Sequence, residues 1–270
     1  CFPFVTLITA FANLFGLGGA PLCAMARGKG NREGAQGIMV NAGFMLLLSG
    51  AVLTVLGIVF HRPLLYLFGA SEVTYPYASS YIVIYLIGTL CVMLSLGLNP
   101  YINCQGFART GMLTVALGAA ANIVLDPIFI FALHLGVRGA AIATVLSQFL
   151  SAAWVVKFLT GKKAELKLDF RGFRPDRQCI QRITVLGIAS FVMSFTDTLV
   201  QVACNATLRN FGGDLYISVM TVLNSVRQIA QTPVLAIADG ASTAISYNYG
   251  ARLYRRTRDA IRFMTQIAIG

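Results

Sequence analysis

The sequence predicts an all-α membrane protein, a polytopic helical bundle, and three observations carry that prediction. Of 270 residues, 57% are hydrophobic and only 11% charged, against about 25% charged in a soluble domain. The apolar residues fall in blocks of about 20 or more, the length that crosses a ~30 Å hydrocarbon core, and not in strand-length alternations. Lys and Arg lie almost entirely between those blocks, concentrated in every second connection.

Taken in order, the apolar blocks cover residues 2–26, 38–60, 77–105, 111–135 and 139–160, then 183–209 and 215–248, with another beginning near 260. This predicts about seven full spans and a stub. The chain opens at Cys1 inside one apolar run and stops at Gly270 inside another, so a fragment lacking both termini is expected.

Loop charge supports the division. Connections at 27–36, 106–110 and 161–182, with the basic run from 250 to 262, hold sixteen of the 21 Lys and Arg residues. The intervening connections hold Arg62, Arg138 and Arg209. Cytoplasmic loops are the basic ones, so the first set is expected on the cytoplasmic side. Orientation in a membrane also accounts for the net charge of +11, so no nucleic-acid partner is expected. The six cysteines form no CxxC pair and read as small packing residues, neither disulfides nor metal ligands.

The connection GKKAELKLDFRGFRPDRQCIQR, residues 161–182, is the longest and most charged. It reads as a cytoplasmic linker between an N-terminal lobe, 1–160, and the start of a C-terminal lobe, 183–270. A weak internal repeat points the same way. The first block leaves through LGGAPLCAMARGKG and the seventh through DGASTAISYNYGAR, placing Gly18 and Gly28 in register with Gly240 and Gly250.

Ionisable groups at membrane depth are costly and therefore mark function. Asp126, Asp197, Arg227 and Asp239 qualify. Asn122 precedes Asp126 by four residues, on the same helical face. Pro127 cannot donate to the Ile123 carbonyl, which places a carboxylate, an amide and a free acceptor at one depth. Asp197 and Arg227 stand about equally far from Gly212 and Gly213, so a hairpin turning there would pair them as ions. Asn99 and Asn103 share a face of the third span and are candidates to line a cavity, as is Asp239. Glu33, Glu72, Glu165, Asp169, Asp176, Asp214 and Asp259 read as solvated charges.

No HExxH, GxSxG or GxxxxGK[ST] motif occurs, and no catalytic residue, metal site or enzymatic activity is expected. GLGGAPLCAMARGKGNRE, NCQGFARTGMLT, NIVLDPIFIF, GAAIATVLSQ, NFGGDLYISVMTVLNSVRQ and ISYNYGARLYRR occur in an order and spacing that resembles the multidrug and toxic compound extrusion (MATE) family. The bacterial subgroup of cationic-drug exporters is the most similar. That resemblance implies a fold of twelve helices in two pseudo-symmetric lobes, of which the chain would be helices two to eight and part of nine. It also implies that Asp126 matches the family's helix-five acid, associated with H+ or Na+ coupling. Asn122 matches its neighbouring amide and Asp197 an acid found in helix seven of some subgroups. Asp239 and Ser242 depart from the Gln residues expected of the closest subgroup.

The expected function is secondary active export of small cationic drugs or toxic metabolites by H+ or Na+ antiport, through alternating access. The expected setting is multi-pass in the lipid of a bacterial inner (plasma) membrane, as a monomer when full length and with no cofactor beyond the coupling ion. The alternative is a flippase for a lipid-linked precursor, a relative within the same superfamily. Its pyrophosphate would call for a basic cavity, whereas Asp126, Asp197 and Asp239 outnumber Arg227 inside the predicted spans.

Overall fold

A computed structural model of the chain describes residues 2–67 and 75–269; Glu72 lies outside them. α1 (Phe2–Gly28) and α2 (Arg32–Leu67) meet at a tight turn in which Gly30 has φ +77°. α3 (Tyr75–Ile87) and α4 (Thr89–Cys104) occupy the predicted third span, bent by 55° at Gly88. The Val145 side chain of the opposing helix fills the space there, 2.6 Å from where a Cβ at 88 would stand.

α5 (Ala108–Pro127) continues directly into a π-helical turn, Ile128–Ala132, and α6 (Gly136–Thr160) follows. The register shift begins immediately after Pro127, whose missing N–H breaks the i to i−4 ladder, and Leu133 N donates to Ile128 O at 2.9 Å. α7 (Arg177–Gly250) and α8 (Tyr254–Ile269) follow the linker. Asp176 caps α7, its carboxylate accepting from Gln178 N at 2.9 Å.

Five helices among the described residues are long and apolar enough to cross a membrane, six when α3 and α4 count as one bent span. Their outward faces remain apolar, as with Val55, Val59 and Phe60 on α2 and Ile123 and Val124 on α5, all exposed. Such belts suit a protein solvated by lipid. The chain is a multi-pass, all-helical membrane protein.

The blocks at 183–209 and 215–248 were expected as two helices joined at Gly212 and Gly213. Instead the backbone is helical across that pair, and both blocks lie within α7. α7 nevertheless doubles back, because Gly187 packs on Leu14 and Gly250 on Met25 of the same helix, α1. On a straight helix residues 187 and 250 would stand about 95 Å apart, and residues 14 and 25 only about 16 Å. The arm that begins α7 descends α1 antiparallel, with Ile183 at Gly18 and Phe191 at Phe11, ring centroids 5.0 Å apart.

α1 is the axis of the bundle. Gly16 lies against Gly97 of α4, where a Cβ would come within 2.8 Å of the Gly97 carbonyl. Gly18 lies against α7, where a Cβ would come within 2.7 Å of Gly187 N. Small residues on two faces let two helices approach α1 backbone to backbone, the usual basis of association in lipid. Around this seam, Ile8, Met39, Leu46, Met93, Leu98 and Ile102 form the fully buried core.

The linker was expected as a charged loop. Residues 164–169 instead form a non-helical strap in which Ala164, Leu166 and Leu168 are buried while Glu165, Lys167 and Asp169 are exposed. The strap is tied down where Leu166 N donates to the Gln105 side chain at 2.9 Å and Leu168 N to Leu159 O at 3.0 Å. Further on, Asp176 N donates to Asn41 Oδ1 at 3.0 Å.

Candidate functional site

Arg27, at the end of α1, gathers the basic-loop end of the molecule. Its guanidinium donates to the Cys104 carbonyl ending α4 and forms an ion pair with Glu165 of the strap. It also lies over the Tyr247 ring of α7, 5.9 Å from the centroid. The connections after α1, α4, α6 and α7 therefore converge at one end of the bundle, the set that loop charge places on one side. Glu165, expected as a solvated charge, is corrected to a partner of Arg27: the strap's period-two burial turns it outward beside α1.

Three cavities share a lining residue on α4. A vestibule of about 670 Å³ between α4, α5 and α7 is lined by Arg27, Asn103, Gln105, Tyr247 and Asn248. A chamber of about 440 Å³ between α1, α4 and α7 is lined by Asn13, Asn103, Ser190, Asp239 and Ser242. A pocket of about 260 Å³ between α4, α5 and α6 is lined by Ser95, Thr114, Asn122, Thr144 and Gln148.

Asn99 lines all three. Its Oδ1 is buried with no hydrogen-bond partner, a costly state for an amide oxygen and one that a ligand, ion or water in the adjoining space would relieve. Asn103, one turn further along α4, lies on the same face, and both side-chain oxygens approach Gly111 of α5. The polar pocket is internally braced, with Ser95 Oγ donating to Gln148 Oε1 at 2.8 Å and Ser151 Oγ to Thr114 O at 3.1 Å.

Asn122 and Asp126 share a face of α5 as the spacing predicts. The Asn122 amide donates to Asp126 Oδ1 at 3.4 Å, a long contact between two half-buried side chains. The π-helical turn begins two residues after Asp126. Pro127 has no N–H to offer the Ile123 carbonyl, and the register alters from residue 128 on, so backbone acceptors stand near a carboxylate, a set suited to a proton or a hard monovalent cation.

Asp239 lines the chamber between α1, α4 and α7. Asp197 and Arg227 are exposed, and neither lines the three cavities. Among the described residues the ion pair within 4 Å is Arg27–Glu165, so the expected Asp197–Arg227 contact is not made at that distance. The pairing assumed a turn at Gly212 and Gly213; the backbone is helical at that pair although α7 reverses between residues 187 and 250.

Sequence reasoning missed the roles of Arg27 and the strap, and read Gln105 only as part of the polar half of the third span. Arg27 was grouped with loop charge although it still belongs to the first helix, whose last turn points at neighbouring helix ends. The strap had a visible signal, the alternation in AELKLD, overlooked because its overall charge dominates.

Comparison with known proteins bears on the same elements. Residues 1–128 match the family model described as MatE. The multidrug export protein MepA of Staphylococcus haemolyticus (strain JCSC1435) is 25% identical over 260 residues, covering 96% of this chain and 57% of that protein. The probable multidrug resistance protein YoeA of Bacillus subtilis (strain 168) is 24% identical over 268 residues, covering 97% and 58%.

Among solved structures, a multidrug resistance MATE family transporter of the MOP superfamily in an outward-facing conformation gives a TM-score of 0.89 at 27% identity, covering 99% of this chain and 59% of that one. A MOP superfamily transporter from Pyrococcus furiosus, described by a reverse polarity of its binding pocket that suggests a different function, gives the same TM-score, identity and coverage. The chain thus spans rather more than half the length of the proteins it matches.

Proposed function

We propose, on the premise that residues 1–128 carry the MatE family sequence and that the described helices share the fold of MATE transporters, that this protein is a multidrug efflux transporter driven by a cation gradient. The observation that carries the reading is the line of cavities meeting at Asn99, which joins a vestibule at the basic-loop end to a chamber bearing Asp239 and to the pocket beside Asn122 and Asp126. A cationic substrate would enter the chamber, where Asp239 supplies a carboxylate. H+ or Na+ would discharge Asp126 in exchange, and the charge change would favour one arrangement of the two lobes over the other.

Relatedness alone leaves cavity polarity open, because a neighbour of equal similarity is described by a pocket of reversed polarity. The residues of this chain favour a cationic substrate. Among the described residues the acid of the chamber makes no ion pair, whereas the arginine of the vestibule is occupied by Glu165, the Cys104 carbonyl and the Tyr247 ring. A flippase for a pyrophosphate-linked lipid would need that arginine free.

The test is uptake of a cationic dye into inverted membrane vesicles under an imposed proton or sodium gradient. Accumulation that collapses with one gradient supports the proposal and identifies the ion. Gradient-independent movement, or transport of an anionic lipid analogue in its place, overturns it.

A further inference from the structure

Cys23 of α1 and Cys104 of α4 stand sulfur to sulfur at 3.1 Å, both buried, with Cys104 Sγ directed at Cys23 Sγ. Cys23 Sγ in turn approaches the Ala35 carbonyl of α2 at 3.6 Å. A covalent S–S bond is about 2.05 Å long, so roughly 1 Å of side-chain movement separates this pair from one. The other described cysteines, Cys91, Cys179 and Cys204, are free and have no sulfur neighbour of this kind.

Two independent features make the pair more than a packing contact. Cys104 is one of the residues lining the 670 Å³ vestibule and is 2% exposed, so it forms part of the vestibule wall at the basic-loop end. Arg27, one helical turn beyond Cys23, donates to the Cys104 carbonyl and holds α1 and α4 in register beside the thiols.

We propose that Cys23 and Cys104 form a reversible dithiol–disulfide site, oxidised by small peroxides that enter through the vestibule. Cys104, as thiolate, attacks one peroxide oxygen; the O–O bond breaks and the leaving oxygen takes a proton to become water, giving a sulfenic acid at Cys104. Cys23 then attacks that sulfur, the S–O bond breaks, and the hydroxyl leaves with the Cys23 proton as a second water. Two thiols and one hydrogen peroxide thus give one disulfide and two waters. Transient disulfides of this kind are the form that redox sensing takes in a reducing compartment. The product ties α1 to α4 at the floor of the vestibule and fixes the carbonyl that Arg27 grips.

The experiment uses the full chain in membranes, treated with hydrogen peroxide, then denatured, alkylated with N-ethylmaleimide, digested and analysed by mass spectrometry. The expected product is a dithiothreitol-cleavable peptide joining residues 23 and 104, two hydrogens lighter than its parts, with Cys91, Cys179 and Cys204 each alkylated. Cys104→Ser should abolish the linked peptide and leave Cys23 fully alkylated, a result independent of how well the variant folds. Full alkylation of Cys23 and Cys104 after peroxide treatment overturns the proposal, as does over-oxidation of Cys104 without linkage. Because the readout is a covalent bond, failure of the transport reading leaves this result standing.

Discussion

Gly28 and Gly250 pack reciprocally. A Cβ at 28 would strike the Tyr247 carbonyl, with Ala251 N at 2.9 Å, and a Cβ at 250 would strike the Met25 carbonyl, with Met25 Cα at 2.8 Å. Each glycine meets the residue three positions before the other. That exchange is the pattern a twofold axis gives, and these are the two stretches that the weak internal repeat aligns. The repeat is thus also a contact: the ends of α1 and α7 touch because neither carries a side chain there.

Replacing either glycine should therefore destabilise the bundle. Gly250→Val and Gly28→Val should each cost about 1–3 kcal/mol through overpacking against backbone, read as a lower thermal midpoint of detergent-solubilised protein. Gly240→Ala, where no atom lies within 4 Å of the added Cβ, should leave the midpoint unchanged. Equal effects at 28, 250 and 240 would show that the close approach does not matter.

How far the sequence reveals this arrangement depends on whether one helix or several set the feature. Span positions are legible because a block of apolar residues has few alternatives in lipid, and the Asn122–Asp126 contact because i and i+4 share a face whatever surrounds them. The bend at Gly88 is hidden, since glycine is common in membrane helices and only Val145, on another helix, shows why this one bends. The reversal of α7 is likewise set by packing on α1. The Asp197–Arg227 pairing was beyond such reasoning, because it inferred a tertiary contact from distances along one chain.

Arg27 and Glu165 should be energetically coupled. Their side chains are 16% and 41% exposed, so solvent screens the pair, and coupling in a double-mutant cycle of Arg27→Gln with Glu165→Gln should be of the order of 0.5–1 kcal/mol. Arg27→Gln alone should cost more than Glu165→Gln, because it also releases the Cys104 carbonyl and the Tyr247 ring. Additivity of the two variants within about 0.3 kcal/mol would mean that the strap is not held by this pair.

The four basic connections should face one compartment, the cytoplasm. In a background with the native cysteines replaced by serine, single cysteines at Lys29, Arg109, Lys163 and Arg255 should resist a membrane-impermeant maleimide added to intact cells and react in inverted vesicles. Reaction of all four from outside would reverse the orientation while leaving their convergence intact. A split result would contradict the convergence at Arg27 itself.

Asp126→Asn should separate coupling from folding. The substitution keeps the shape of the side chain and an oxygen able to accept from Asn122, whose amide lies 3.4 Å from Asp126 Oδ1, so abundance and thermal midpoint should stay close to those of the parent. What the amide cannot do is exchange a charge. Protonation or Na+ binding can no longer change the electrostatics beside the π-helical turn, and a ligand that does not distinguish two conformations cannot shift their populations. Gradient-driven dye accumulation in inverted vesicles should therefore fall by at least tenfold, while equilibrium dye binding to the chamber bearing Asp239 persists. Asn122→Ala should give an intermediate loss, since it removes a neighbour of the titrating group and leaves the group itself. Accumulation at the parental rate by an abundant Asp126→Asn protein would place coupling at another acid, with Asp239 the next to test.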